Sequence, residues 1–266
     1  MKLGRNILSI ACWLLICLFC IPLLITVVLS FSPDSFLTFP TDRWSLQWYG
    51  KLFQDPRWWD AIQRSFIVGI ATAFFSVVLA TPLAIAVSKQ RNRLFQSIPL
   101  LIFLTNCIPA VVLGLGLLML IYRIELWGTY WGIIIAHTLV ALPVVYLLIQ
   151  THMKTRLVEL ELAARGLGAS TWQVWWRITF PNLRPTLLVA GIAAGTISWN
   201  ESILTLFIAT PSTETLPAVV WPQLRFSPTP LVAVASTISI LLAILFVGGS
   251  LRWISRMLAI HQNVNG

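Results

Sequence analysis

The chain has 266 residues, 58% of them apolar and only 10% charged, with a formal net charge of +9. That balance excludes an ordinary soluble domain. It also argues against nucleic-acid binding, because the cations flank apolar runs and read as a topology signal.

Six apolar runs lie at about 7–31, 64–88, 97–121, 130–152, 186–208 and 231–254. Each is near the ~20 residues that cross a bilayer as a helix. They are too long and too uniformly apolar for barrel strands, so the expected fold is all-α, a polytopic membrane domain of six transmembrane helices over 1–266. The first run follows Lys2 and Arg5 but is too long for a signal-peptide core and lacks a cleavage site, so it reads as an uncleaved span. Cys12, Cys17 and Cys20 in that run, and Cys107 in the third, are expected to pack as small apolar groups. Three scattered histidines give no metal site.

Segment 32–63 forms the largest outer loop, and its Trp44, Trp48, Trp58 and Trp59 fit an interfacial belt, with contact to an external partner as the alternative. In the third run, Asn106, Pro109 and Gly114-x-Gly116 mark a kink or an unwound turn. His137, inside the fourth, is expected to bond a neighbouring helix, with proton relay as the alternative.

Between the fourth and fifth runs lies a polar loop, 154–185, too long and patterned for a mere connector. Arg156 to Leu167 has helical composition, with Leu157, Leu160 and Ala164 on one face. Gly168 sits where the helix turns, and Ser170 with Gln173 forms a capping box for a second short helix carrying Trp172, Trp175, Trp176 and Ile178. Pro181 and Pro185 are expected to end that helix before the next span. The thin surface at Ala163-Ala164 suits close approach by another protein; an amphipathic hairpin that only anchors the next span is the alternative.

In the fifth run, Glu201 lies inside the hydrocarbon, where a carboxylate marks a functional site by default. Ser198, Glu201 and Thr205 share a face at i, i+3, i+7 and would line a substrate path; otherwise the helix ends early and Glu201 sits at the outer interface. Gly191-x-x-x-Gly195 is expected to pack against another helix. With the N-terminus inside, the inner loops hold 12 of the 18 Lys and Arg, among them Lys89, Arg91, Arg93, Lys154, Arg156, Arg165, Arg177 and Arg184, while Asp34, Asp42 and most other acids fall outside. That bias places both termini in the cytoplasm.

The loop resembles the family loop of ABC-importer permeases, which reads Glu-Ala-Ala, three residues, Gly, nine residues, Ile, one residue, an apolar residue, Pro. Here stand Ala163-Ala164, Gly168, Ile178, Phe180 and Pro181 at the same spacings, with Leu162 in the acid's register and Glu161 one residue earlier. Phe31-Ser32 with Trp48-Tyr49, Thr215-Leu216-Pro217 and Ser198-x-Asn200-Glu201 are similar to spermidine/putrescine-type permeases, although Asn200 replaces a carboxylate. The resemblance implies a bacterial inner-membrane, multi-pass permease of an ATP-driven importer. Its ATPase-coupling residues would be Glu161, Ala163, Ala164, Gly168, Ala169 and Ser170, and its path residues Ser198, Asn200, Glu201 and Thr205.

The implied partners are a second permease (a heterodimer in preference to a homodimer), two ATP-binding subunits, a solute-binding protein and the lipid bilayer. ATP and Mg would be held by the partner ATPase, and no cofactor by this chain, which contains no GxxxxGK[ST]. The implied cargo is a small cationic nitrogenous solute such as a polyamine, with opines, aminophosphonates, thiamine-like compounds or iron as alternatives. An ion-coupled secondary transporter and a non-transporting scaffold are the rival readings. No nucleophile–base or paired-carboxylate constellation points to an enzyme.

Overall fold

The computed structural model describes residues 2–264 except 38, 40, 42, 90, 91, 154–156 and 227. Asp42, Arg91, Lys154 and Arg156, which entered the charge asymmetry, therefore lie outside the described residues, as does the start of the 154–185 loop. Among the described residues the chain is all-α, as expected, and it is described below as two compact units.

The first unit comprises Met1–Asp60 and Val219–Leu245. It holds α1 (Lys2–Leu29), α2 (Gln47–Gln54), most of α11 (Leu216–Phe226) and the first part of α12 (Pro230–Val264). The apolar window of α1 has no residue buried, so Cys12, Cys17 and Cys20 are exposed rather than packed; Cys107, in the other unit, is exposed too. The tryptophan-rich segment is not a simple belt. Trp44 and Trp59 are exposed, but Trp48 and Trp58 are buried, and the indole N–H of Trp48 donates to the Asp34 carbonyl at 3.1 Å. Phe31 stacks on Tyr49 at 5.5 Å, and the Tyr49 hydroxyl shares a 2.8 Å hydrogen bond with Ser30. The Phe-Ser and Trp-Tyr pairs are thus two halves of one local clasp.

The second unit comprises Ala61–Ala218 and Phe246–Gly266. Its elements are α3 (Pro56–Lys89), α4 (Arg93–Cys107), α5 (Ala110–Arg123), α6 (Tyr130–His152), α7 (Val158–Gly166), α8 (Thr171–Val174), α9 (Phe180–Asn200) and α10 (Ile203–Ile208). Helix α6 is central, with 61% of its apolar window buried. It starts at a Thr129 cap that accepts the Gly132 N–H at 3.2 Å, which satisfies one of the open first-turn donors. One apolar core joins Ala141, Val145, Tyr146 and Ile149 of α6 to Leu183, Ala190 and Ala194 of α9. A second gathers Leu117 and Ile121 of α5, Ile133 and Ile134 of α6, and Leu204 and Ile208 of α10. The Gly191/Gly195 ridge of α9 meets α3: a Cβ at Gly195 would lie 3.7 Å from the Gly69 carbonyl and 3.9 Å from Ala73, and one at Gly191 would lie 3.7 Å from Val77. Small residues here let two backbones approach closely.

The expected count of six spans is not reproduced. Among the described residues four helices are long and apolar enough to cross a membrane, or five if the bent pair α4/α5 is one span. That pair turns by 105° at the break before Pro109, where proline lacks the N–H that would continue the ladder. The run at 186–208 is divided too. Helix α9 stops at Asn200, and Glu201 is extended at φ −79°, ψ 111° before α10 begins.

Candidate functional site

The segment between α6 and α9 forms an elbow. Helix α7 ends in a turn at Gly168, whose φ of +85° is a left-handed conformation that costs a side-chain-bearing residue ~1–2 kcal/mol. Ser170 then caps α8. Its hydroxyl accepts the Gln173 N–H at 3.3 Å, and the Gln173 side-chain Oε1 accepts the Ser170 N–H at 2.9 Å, closing the capping box. A π-helical turn, Trp175–Thr179, follows and runs directly into α9.

The prolines do not end this helix as expected. Pro181 occupies the first turn of α9, where its missing N–H is not needed, and Pro185 is absorbed within the helix. The Asn182 side-chain amide donates to the Ile178 carbonyl at 2.6 Å and supplies one backbone acceptor at the junction. Trp172, Trp176 and Phe180 form a ladder of edge-to-face rings at 5.4 and 5.3 Å, and Arg184 lies over Phe180 at 4.9 Å.

The buried face of α7 differs from the expected one. It runs Leu157, Glu161 and half-buried Ala164, while Leu160 is exposed. Glu161 turns inward because it finds partners there: its carboxylate is ion-paired with Lys89 of α3 and accepts the Thr179 hydroxyl at 2.5 Å. Ala163, Gly168 and Ser170 are exposed and Ala169 is half-buried. Leu162, in the register of the motif acid, is 64% exposed, and Leu167 at the tip is 90% exposed. A cleft of about 270 Å³ beside the turn is lined by Leu167, Gly168, Ala169, Gln173, Arg177 and Ile178. This elbow offers a small-residue surface with protruding leucines, and its π-turn runs without a break into α9.

Ser198, Glu201 and Thr205 do not share a helical face, because the helix breaks between them. Ser198 and Thr205 are buried and meet instead through His137 of α6: imidazole Nδ1 lies 2.8 Å from the Ser198 hydroxyl and Nε2 lies 2.9 Å from the Thr205 hydroxyl. Glu201 is half-buried and its carboxylate accepts the Leu204 N–H at 3.0 Å, capping α10. Asn200 is exposed, its amide donating to the Thr196 carbonyl at 2.8 Å. His137 was legible as a hydrogen-bonding residue, but its two partners were not. Lys89 and Thr179 carried no signal for their meeting with Glu161.

The family described as binding-protein-dependent transport system inner membrane components matches residues 76–259, which include the elbow and the broken α9/α10 segment. The chain belongs to this family. This permease is 24% identical over 227 residues to the spermidine/putrescine transport system permease protein PotC of Escherichia coli (strain K12), covering 85% of this chain and 86% of that protein. It is 30% identical over 217 residues to the molybdenum transport system permease protein ModB of Mycobacterium tuberculosis (strain ATCC 25618 / H37Rv), covering 73% and 82%. In fold it is similar to a bacterial alginate ABC transporter solved in complex with an alginate pentasaccharide-bound periplasmic protein, with a TM-score of 0.74 at 14% identity over 96% of each chain. The permease is therefore a multi-pass inner-membrane transport subunit of an ABC importer, and not an enzyme.

Proposed function

We propose that the permease couples a small, cationic nitrogenous cargo, of the polyamine class, to ATP hydrolysis on a separate subunit gripped by the elbow. One observation carries this reading: Leu162 and Leu167 project from α7 and its turn at 64% and 90% exposure, beside the exposed Ala163 and Gly168. Two large apolar side chains at the tip of a well-capped loop suit a protein groove rather than water. Ala163, Ala164, Gly168, Ala169 and Ser170 shape that surface, and Glu161 supports it from within.

Two ATP-binding subunits, holding ATP and Mg, dock at the elbows of this permease and of a second, different permease. A solute-binding protein delivers cargo from the opposite side, and both termini lie in the cytoplasm. Closure of the ATPase pair pushes on the elbow. Because α6 and α9 share one core through Tyr146, Ile149, Leu183 and Ala190, the push tilts them together. The substrate path between the two permeases then switches its side of access, a two-state element biased from a distant site. The break at Glu201 supplies a half-buried carboxylate for the path, with Asn200 beside it, while Ser198 and Thr205 hold the break in place. The likeness to PotC supports a polyamine; the likeness to ModB makes molybdate the comparison cargo.

The test is uptake in proteoliposomes holding the whole transporter and its binding protein, with labelled spermidine, putrescine and molybdate offered in turn. ATP-dependent uptake of a polyamine alone is expected. Uptake of molybdate alone would replace the cargo, and uptake driven by an ion gradient without ATP would overturn the coupling.

A further inference from the structure

Three elements distant in sequence meet at one buried carboxylate. Glu161, in the first turn of α7, is only 3% exposed. One of its oxygens accepts the hydroxyl of Thr179, the last residue of the π-helical turn, at 2.5 Å. The other pairs with the ammonium of Lys89, the last residue of α3, whose side chain is 33% exposed. The carboxylate therefore faces inward, and the surface that α7 offers outward is made by Leu162, Ala163 and Leu167.

We infer that Glu161 is a positioning residue that ties the elbow to the end of α3, rather than a group that touches the ATPase. The inference rests on the elbow being the ATPase-docking surface. A buried carboxylate left without its cation is strongly unfavourable, so Glu161, Lys89 and Thr179 hold α7, α3 and the π-turn as one block. Helix α3 also meets α9 near its middle, where Gly69 and Ala73 face Gly195. A push on α7 thus reaches α3 directly through an ion pair and α9 through the continuous backbone. The strut recruits a third helix into a motion that the chain connectivity alone would confine to α6 and α9.

A charge-swap cycle separates a strut from a direct contact. Glu161→Lys, Lys89→Glu and the double swap are purified with the whole transporter, and the co-purified ATP-binding subunit is measured beside the permease's own thermal midpoint in detergent. Each single variant is expected to lower the ATPase yield by roughly tenfold or more, the scale of an uncompensated buried charge. The double swap is expected to restore both the yield and the midpoint.

If Lys89→Glu leaves the yield unchanged while Glu161→Lys abolishes it, and the swap does not rescue, Glu161 contacts the ATPase and the strut is overturned. Should the charge reversals fail to insert, the neutral cycle of Glu161→Gln and Lys89→Met reads the same coupling. A strut makes the double neutral variant better than either single one, and a direct contact leaves it no better than Glu161→Gln. A wild-type permease that brings down no ATPase would refute the docking surface, whereas the midpoint cycle would still report on the strut.

Discussion

Replacing His137 by leucine removes a side chain that spans the break between α9 and α10. The imidazole is fully buried and bonds Ser198 before the break at 2.8 Å and Thr205 after it at 2.9 Å. Side-chain hydrogen bonds between membrane helices average about 0.6 kcal/mol and reach ~1.7, so two of them are worth about 1–3 kcal/mol. Two features pull the expectation to the lower part of that range. The Thr205 hydroxyl keeps the Glu201 carbonyl as an acceptor at 3.3 Å and receives Thr215 at 3.5 Å. Leucine also fills a similar volume, so the cavity cost stays small.

We expect His137→Leu to destabilise the detergent-solubilised permease by about 1–2 kcal/mol. Double-mutant cycles with Ser198→Ala and Thr205→Val should each show a coupling near ~0.6 kcal/mol. His137→Gln, which reaches one hydroxyl, should fall midway. Stability is read from reversible unfolding in mixed micelles. Strict additivity in both cycles would refute the clamp.

Gly168→Ala and Gly166→Ala form a contrasting pair, because a Cβ meets nothing within 4 Å at either site but only Gly168 has a positive φ. The first should weaken the turn by ~1–2 kcal/mol and the second should be neutral or stabilising, read from thermal midpoints and ATPase yield. Gly132→Ala places a Cβ 2.5 Å from the Leu126 carbonyl and 3.0 Å from Ile121, so a loss of about 1–3 kcal/mol is expected, with Gly116→Ala as the uncrowded control.

What the sequence made legible was whatever local chemistry decides. Pro109 announces the α4/α5 break because it lacks an N–H, and Ser170 with Gln173 announces the start of α8 by the capping spacing. Gly168 announces the turn for want of a Cβ. The break at Glu201 carries no such mark: Ser198-Trp199-Asn200-Glu201-Ser202 contains neither glycine nor proline. The chain tolerates it because His137 holds both sides, and the Glu201 carboxylate and the α5–α6 core hold α10. Periodicity grouped Leu160 with Leu157 and Ala164 on one face of α7, since it weighs apolarity and not ion pairs; the partner that draws Glu161 inward lies on α3. Pro181 and Pro185 misled for a related reason, because the preceding π-turn delivers them to α9 in a tolerable register.

If the elbow holds the ATPase, as proposed, a bulky group placed on it blocks that docking. The direct measurement is the amount of ATP-binding subunit that co-purifies with permease carrying Ala163→Trp, a bulky group on an exposed position of α7, with Ala164→Trp beside it. Ala163→Trp permease is expected to insert and unfold like the wild type but to bring down little or no ATPase. Full recovery of the ATPase with a correctly inserted Ala163→Trp permease would contradict it.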